Sequence, residues 1–322
     1  MRASVATDLI GVVVHAQILA SDRALLLELR RPDATPLPAA EPGAHIDVHL
    51  STAAGKMVRP YSLLDVTDPG RYLICVQLET DGRGGSRHVH ERLRVGQRLT
   101  VSAPRSTFTL GDGRRHAVLL AGGIGITPLL AMAGALEARG ASYELHCYSR
   151  GPLPLAEYVA AQPYAGRVEH HRSDLGQSLR DSAPEWSVTD DIVVYACGPR
   201  GFLDKVGEHA AAVGVPADRV RTERFVTEEP VDATGDSFVV VAASSGERMT
   251  VADETIAEVL ERHGYEVVLS CEQGICGSCL TGVIDGIPDH RDEVQTPAEH
   301  AANGQINVCV SRSRSAVLTL DV

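Results

Sequence analysis

The sequence predicts a multi-domain chain: an antiparallel β-barrel, then an α/β unit on a parallel sheet, then a small C-terminal unit built around a cysteine loop. Three observations predict it. Short alternating segments parted by Pro and Gly fill the first third of the chain. Apolar strand-like runs alternate with helix-length segments through the middle. Three cysteines crowd one loop near the C-terminus, with a fourth further on. A length of 322 residues suits two or three domains, each able to bury its own core.

In order along the chain, strands are predicted at 11–15, 24–29, 44–50, 72–78 and 97–101, which together suggest a closed antiparallel barrel over 1–112. The pattern changes at His116. The apolar run 117–121 leads into Gly122-Gly-Ile-Gly-Ile-Thr-Pro128 and then a helix over 129–139, so this stretch reads strand, glycine turn, helix. Further strands at 143–148, 168–170 and 192–196 and a helix over 201–213 complete an α/β parallel-sheet domain at 113–228. The Thr-, Glu-, Pro- and Gly-rich stretch 226–236 reads as a linker, with 229–236 as its core. From 237 to 322 come two strands, a helix over 253–263 and the cysteine loop. No internal repeat is present.

The loop reads Cys271-Glu-Gln-Gly-Ile-Cys276-Gly-Ser-Cys279, with Cys309 as the fourth cysteine. That is the ligand spacing of a plant-type [2Fe–2S] centre, in which four thiolates hold two irons. Four cysteines can also make a zinc site or two disulfides. Zinc sites, however, usually use paired CxxC knuckles, and here only one close pair exists. Gly274 and Gly277 inside the loop let backbone amides approach sulfur.

Net charge is −12, which argues against nucleic acid as a partner. From 237 to 322 there are 13 acids against 5 bases, while 1–112 is close to neutral with 12 against 13. The acidic C-terminal unit could steer a basic redox partner or simply keep the unit solvated. No apolar run is long enough to cross a bilayer, and the first twenty residues lack the order of a signal peptide, so the expected address is the cytoplasm. Cys75, Cys147 and Cys197 as isolated thiols suit a reducing compartment.

Two further motifs carry chemistry. Arg59-Pro60-Tyr61-Ser62-Leu63 joins a cation, an aromatic face and a hydroxyl at the end of a barrel strand, adequate for a flat anionic ligand. Asp81-Gly-Arg-Gly84-Gly85-Ser86 is either a phosphate nest or a plain hairpin turn. Taken with AGGIGITP, Cys197-Gly198-Pro199, Glu223-Arg-Phe225 and the terminal cysteines, in that order, these motifs resemble the phthalate dioxygenase reductase family. That family includes the vanillate demethylase reductases and is an offshoot of the ferredoxin–NADP reductase superfamily. The resemblance covers essentially the whole chain.

The resemblance implies an FMN-binding barrel, an NADH-binding domain and a C-terminal β-grasp plant-type ferredoxin domain. Arg59, with Pro60 beside it, is then expected at the flavin side chain or phosphate, Tyr61 against the isoalloxazine and Ser62 near flavin N5. Gly84, Gly85 and Ser86 are expected at the phosphate, where Arg87 and His88 could add charge or merely lie on the surface. The stretch resembles the FMN version rather than the FAD version, which must leave room for an adenylate arm. Gly123, Gly125 and Thr127 are expected beside nicotinamide and pyrophosphate, Cys197, Gly198 and Pro199 at the nicotinamide end, and Phe225 against the flavin. Ser62, Cys197 and Phe225 are thus the candidate catalytic residues. Cys271, Cys276, Cys279 and Cys309 are the expected metal ligands. The glycine turn is not GxGxxG, so no Rossmann dehydrogenase fingerprint is present.

For coenzyme choice, Asp174 is a candidate acid at the adenosine ribose, with Arg150 pulling the other way, and the resemblance favours NADH. A hydride brings two electrons at once, whereas a [2Fe–2S] centre takes one, so a flavin is expected to divide them. No Rieske CxH and CxxH pairs and no haem-thiolate signature occur. The electrons are therefore expected to go to a separate terminal oxygenase, by resemblance a Rieske non-haem iron enzyme acting on an aromatic. The alternatives are a cytochrome P450 partner, a stand-alone flavin reductase and a non-enzymatic redox sensor. Asp289-His-Arg-Asp292 could belong to a docking face or be an exposed turn.

Overall fold

The computed structural model describes residues 9–52, 55–80, 82–112, 115–181, 183–184, 186, 192–225 and 232–322, and the chain divides into two compact units, 1–225 and 226–322. The predicted linker core falls partly outside the described residues, at 229–231.

In the first unit, alternation of inward and outward side chains produces strands. β1 (Ile10–Ser21) turns Ile10, Val12 and Val14 inward, and β2 (Ala24–Arg30) pairs with it antiparallel. β3 (His45–Thr52), β4 (Gly55–Ser62), β5 (Tyr72–Gln77) and β6 (Arg98–Val101) complete a six-stranded antiparallel sheet in the order β4-β3-β6-β1-β2-β5. An antiparallel bridge between Leu63 and Ile74, with Leu64 N–H donating to Leu73 O at 2.9 Å, joins the two outer strands and closes the barrel. β4 is not among the strands the alternation predicts. It interrupts its pattern with Pro60, which an outer strand tolerates. The short helix α1 (Gly85–Arg92) lies between β5 and β6, where the sequence suggests only a loop.

β7 (His116–Gly122), β8 (Tyr143–Ser149), β9 (Val168–Arg172), β10 (Ile192–Cys197) and β11 (Val220–Glu223) form a parallel sheet in the order β11-β10-β7-β8-β9. Helix α2 (Ile126–Ala138) starts three residues earlier than predicted, because Pro128 in its first turn needs no helical hydrogen bond from its nitrogen. The short α3 (Ala156–Ala160) follows β8, and α4 (Arg200–Ala212) follows β10. Leu119, Ala121, Leu145 and Cys147 pack one face with Leu129, Met132 and Leu136 of α2, and this core also takes in Leu26, Leu73 and Cys75 from the barrel strands. The opposite face buries Val118, Leu120, Val194 and Ala196 with Val206 and Ala210 of α4.

The second unit holds β12 (Phe238–Ala242), β13 (Arg248–Val251), helix α5 (Ile256–Arg262), β14 (Leu280–Asp285), β15 (Pro288–Asp289), helix α6 (Pro297–Ala302), β16 (Gln305–Asn307), β17 (Arg312–Ser313) and β18 (Val317–Leu320). Its five-stranded sheet runs β13-β12-β18-β14-β16, with β12 parallel to β18 and antiparallel to β13. Val259 and Leu260 of α5 pack on Val240, Leu318 and Leu320, the hairpin, helix and parallel closing strand of a β-grasp fold. Asp289 and Asp292 are internal ties rather than a bare turn. Asp289 pairs with Arg291 at 3.0 Å and Arg314 at 3.1 Å, while the buried Asp292 accepts from the amides of Val294 and Gln295 at 3.2 and 2.9 Å.

Candidate active site and cluster loop

At the barrel, β4 presents Arg59, Pro60, Tyr61 and Ser62 opposite Val48, Asp47, Ile46 and His45 of β3. Ser62 is buried, and burial pushes the Tyr61 phenol well above its ordinary range, so it stays protonated. Gly84 precedes α1 at φ +90°, and no side chain caps that helix, which leaves its first amides for an outside acceptor. A Cβ on Gly85 would stand 3.0 Å from Arg59 Cγ and 3.1 Å from Met57 Sδ, so the helix start rests directly on the Arg59 side chain. Cation and uncapped amides together fit a phosphate. Arg59 Nη1 also donates to Val58 O at 2.6 Å. Ser86 Oγ accepts from Glu79 N–H at 3.0 Å and donates to Glu79 O at 3.4 Å, fixing the entry to the helix. Arg87 donates to Thr80 O at 2.6 Å.

At the sheet, two loops meet backbone to backbone. A Cβ on Gly125 would fall 2.1 Å from Cys197 O, and one on Gly198 would fall 2.9 Å from Gly122 Cα and Phe202 Cδ1. Glycine is needed here for close approach. Gly123 adopts φ +59°, Thr127 is buried and donates to Ile124 O at 3.1 Å, and Pro199 stands just before α4. The chain thus brings Gly123, Gly125, Thr127, Cys197, Gly198 and Pro199 together at the C-terminal ends of β7 and β10, the usual ligand edge of a parallel sheet. Cys197 is fully buried, and burial and then Glu223 raise its thiol well above the ordinary range. Phe225 is half-buried against the core shared by barrel and sheet.

Asp174 is not a lone acid. Arg172 grips it through two bonds of 2.8 and 2.6 Å and lowers its pKa, so a cation and an anion end β9 together. One residue that the sequence reading does not place in the site is Glu223. It ends β11 in register with Cys197, its carboxyl oxygen 4.0 Å from Cys197 Sγ, and burial raises its pKa to about 8. Its place directly before Arg224 and Phe225 was the available signal.

In the second unit the four cysteines converge, all buried. The thiols form two pairs. Cys276 is drawn down to about 6, first by the hydrogen bond from Cys271 and then, against burial, by Ser278, whose Oγ lies 3.0 Å from the sulfur. Cys279 Sγ lies 3.1 Å from Cys309 Sγ. Gln273 N–H donates to Cys271 Sγ at 3.3 Å, and Glu272, Gly274 and Gly277 all take positive φ to wrap the loop. A Cβ on Gly274 would meet Val310 Cγ2 at 2.7 Å. Two thiol pairs with inward amides fit a two-iron cluster, one pair to each iron.

Barrel, parallel sheet and cysteine loop define an iron–sulfur electron-transfer oxidoreductase. Residues 241–314 match the 2Fe-2S iron-sulfur cluster binding domain. The chain is 41% identical to vanillate O-demethylase oxidoreductase from Pseudomonas sp. strain HR199, over 98% of this chain and 100% of that protein. Its structure resembles that of phthalate dioxygenase reductase, described as modular for electron transfer from pyridine nucleotides to [2Fe-2S]. The TM-score is 0.71 at 32% identity, covering 98% of both chains. It also resembles part of an intact type IV self-sufficient cytochrome P450 monooxygenase, with TM-score 0.83 and 34% identity, and there it spans 98% of this chain but only 41% of the other. The chain belongs to the vanillate O-demethylase oxidoreductase family of oxygenase reductases. Among the described residues, no helix is long and apolar enough to cross a membrane.

Proposed function

We propose that this chain is the NADH-dependent reductase component of a multicomponent oxygenase, using FMN and a [2Fe–2S] cluster and serving a terminal Rieske enzyme that acts on a methoxylated or acidic aromatic. The observation that carries the reading is the pairing of an anion cradle, Arg59 with the Gly85 helix start, and two buried thiol pairs in one family-length chain. Residues 1–112 serve as the flavin module, 113–228 as the NADH module, 229–236 as linker and 237–322 as the ferredoxin module. FMN, when bound, accepts a hydride and releases electrons singly to the cluster.

The chain's own part is placement. Arg59 and the amides of Gly85 and Ser86 hold the phosphate, Tyr61 packs on the ring system, and Ser62 presents a hydroxyl near the reacting edge. The loops at Gly123 to Thr127 and Cys197 to Pro199 seat the nicotinamide, with Phe225 closing on the flavin. Arg172 stands beside Asp174 at the end of β9, so the choice of NADH rests on the family and not on this acid. Three isolated thiols outside the cluster support a cytoplasmic address.

The similarity to the P450 monooxygenase chain favours one second reading, a P450 as electron acceptor. The test is anaerobic NADH titration followed by visible absorbance and low-temperature EPR, then turnover with each oxygenase class. FMN release on denaturation, flavin bleaching and a reduced-cluster signal are expected, followed by coupling to the Rieske enzyme. A cluster that stays oxidised sinks the electron path, and coupling to the P450 alone sinks the partner.

A further inference from the structure

Strand register places a second set of metal-competent side chains in the nucleotide domain. β8 and β9 pair His146 with Glu169 and Tyr148 with His171, so these side chains rise from one face of the parallel sheet. His146 is buried, 3% exposed. Its Nδ1 lies 3.0 Å from His171 Nε2 and 3.5 Å from Glu169 Oε2, and the three atoms all fall within 4.8 Å of one another. Its other nitrogen, Nε2, faces Glu144 Oε2 at 3.4 Å. His116 approaches the same carboxylate at 3.9 Å. The His171 ring stacks on Tyr148 with centroids 4.3 Å apart and planes 10° apart.

The protonation logic narrows what this cluster can hold. Among the described residues, His146 Nε2 makes no hydrogen bond, with Glu144 Oε2 standing 3.4 Å away, while its Nδ1 faces His171 Nε2. Two ring nitrogens 3.0 Å apart then need a proton or a cation to reconcile them. Metal–nitrogen and metal–oxygen bonds of about 2.0–2.2 Å put neighbouring ligand atoms roughly 3–3.5 Å apart, the spacing that His146 Nδ1 keeps to both of its partners, at 3.0 and 3.5 Å. Glu144, 3.4 Å from the far nitrogen of His146, stands where an outer-shell carboxylate would fix that ligand's tautomer once metal is bound. Glu169, with its side chain 68% exposed, gives an entry path and an open side for water.

We infer that His146, Glu169 and His171 form a binding site for a divalent transition metal of the zinc class, with Glu144 as its outer carboxylate. The site uses none of the residues placed at the nicotinamide or the cluster. It clamps β9, the edge strand, to β8 and so steadies the turn that carries Asp174.

The test titrates Zn2+ into the full chain, with flavin and cluster bound, against a chromophoric chelator while cluster absorbance is followed. Wild type is expected to take one equivalent with submicromolar Kd and an unchanged cluster spectrum. Glu169→Ala, at an exposed position, should weaken binding at least tenfold while leaving NADH–ferricyanide turnover intact, and His171→Gln should abolish the equivalent. Zinc should also raise the melting temperature of wild type and not of either variant. Equal affinity in wild type and Glu169→Ala, no binding at equimolar zinc, or uptake that bleaches the cluster would each overturn the assignment.

Discussion

Helices start differently in the two units. In the first, α1 and α4 begin at Gly84 and Pro199 with no side-chain cap, and each start carries residues of the candidate site, while α2 continues a tight turn over Gly123–Gly125 that takes up the Ile126 amide. In the second, α5 and α6 begin at Thr255 and Thr296, each with a complete capping box closed by Glu258 and Glu299. A capped start spends its free amides on the chain itself, whereas an uncapped one keeps them, and its partial positive charge, for a ligand. The difference teaches where each unit places its chemistry: backbone amides in the first, cysteine sulfur in the second.

The strongest way to break this comparison is to add a methyl group where backbone meets backbone. Gly125→Ala places a Cβ 2.1 Å from Cys197 O, and because the obstacle is main chain, one loop must move. A loss of at least about 4 kcal/mol is expected, read as a drop in the denaturant midpoint with weaker NADH binding in whatever protein survives. Wild-type stability in this variant would mean that the two loops do not meet as described.

How much of this was legible follows from the same contrast. Cysteine spacing announces itself, because ligands are side chains and their chemistry is written in residue type. The β7 turn was legible through Gly122 and Gly125, where close approach demands glycine, and through Gly123, which takes φ +59°. The start of α1 was not, because Gly-Arg-Gly-Gly-Ser has the composition of a loop and only the structure turns Gly85 against Arg59. β4 was legible only at its end, through the Arg59–Leu63 motif, because Pro60 breaks its alternation, and β11, four residues long, was missed as a strand. The predicted helix over 253–263 shrank to Ile256–Arg262 because Thr255 stops it as a cap. Glu223 beside Cys197, like His146 beside His171, depends on strand register, which separation in sequence conceals.

Glu223 sharpens the comparison through pH. Its folded pKa of about 8 lies above the ordinary carboxylate value of 4.5. The native state therefore keeps a proton that the unfolded chain releases, and stability falls as pH rises from about 4.5 to about 8, by roughly 4–5 kcal/mol in all. Glu223→Gln should flatten that slope in urea melts run across the range. An unchanged slope would place the desolvated acid elsewhere.

Arg59→Ala tests the uncapped start of α1 directly. The guanidinium would be lost while the amides remain, so flavin affinity should fall by about 2 kcal/mol, the worth of a charged hydrogen bond, with global stability little altered. Flavin fluorescence on dilution reads this. Retained affinity would mean that the helix amides alone hold the phosphate, or that the anion lies elsewhere.

The smallest effect is the one that separates the two kinds of helix start. Thr255 Oγ1 accepts from Glu258 N–H at 3.1 Å, and Glu258 Oε2 accepts from Thr255 N–H at 2.8 Å. Thr255→Ala removes the first bond and should cost about 1 kcal/mol in the second unit, with flavin content and NADH turnover untouched. The same threonine introduced ahead of an uncapped helix should have the opposite signature. Gly84→Thr would offer a hydroxyl to the amides of α1, but it must also occupy φ +90°, which glycine alone adopts cheaply. Flavin affinity should fall in that variant and stay constant in Thr255→Ala. If both lost flavin, or neither did, the uncapped starts would have no special claim as ligand sites.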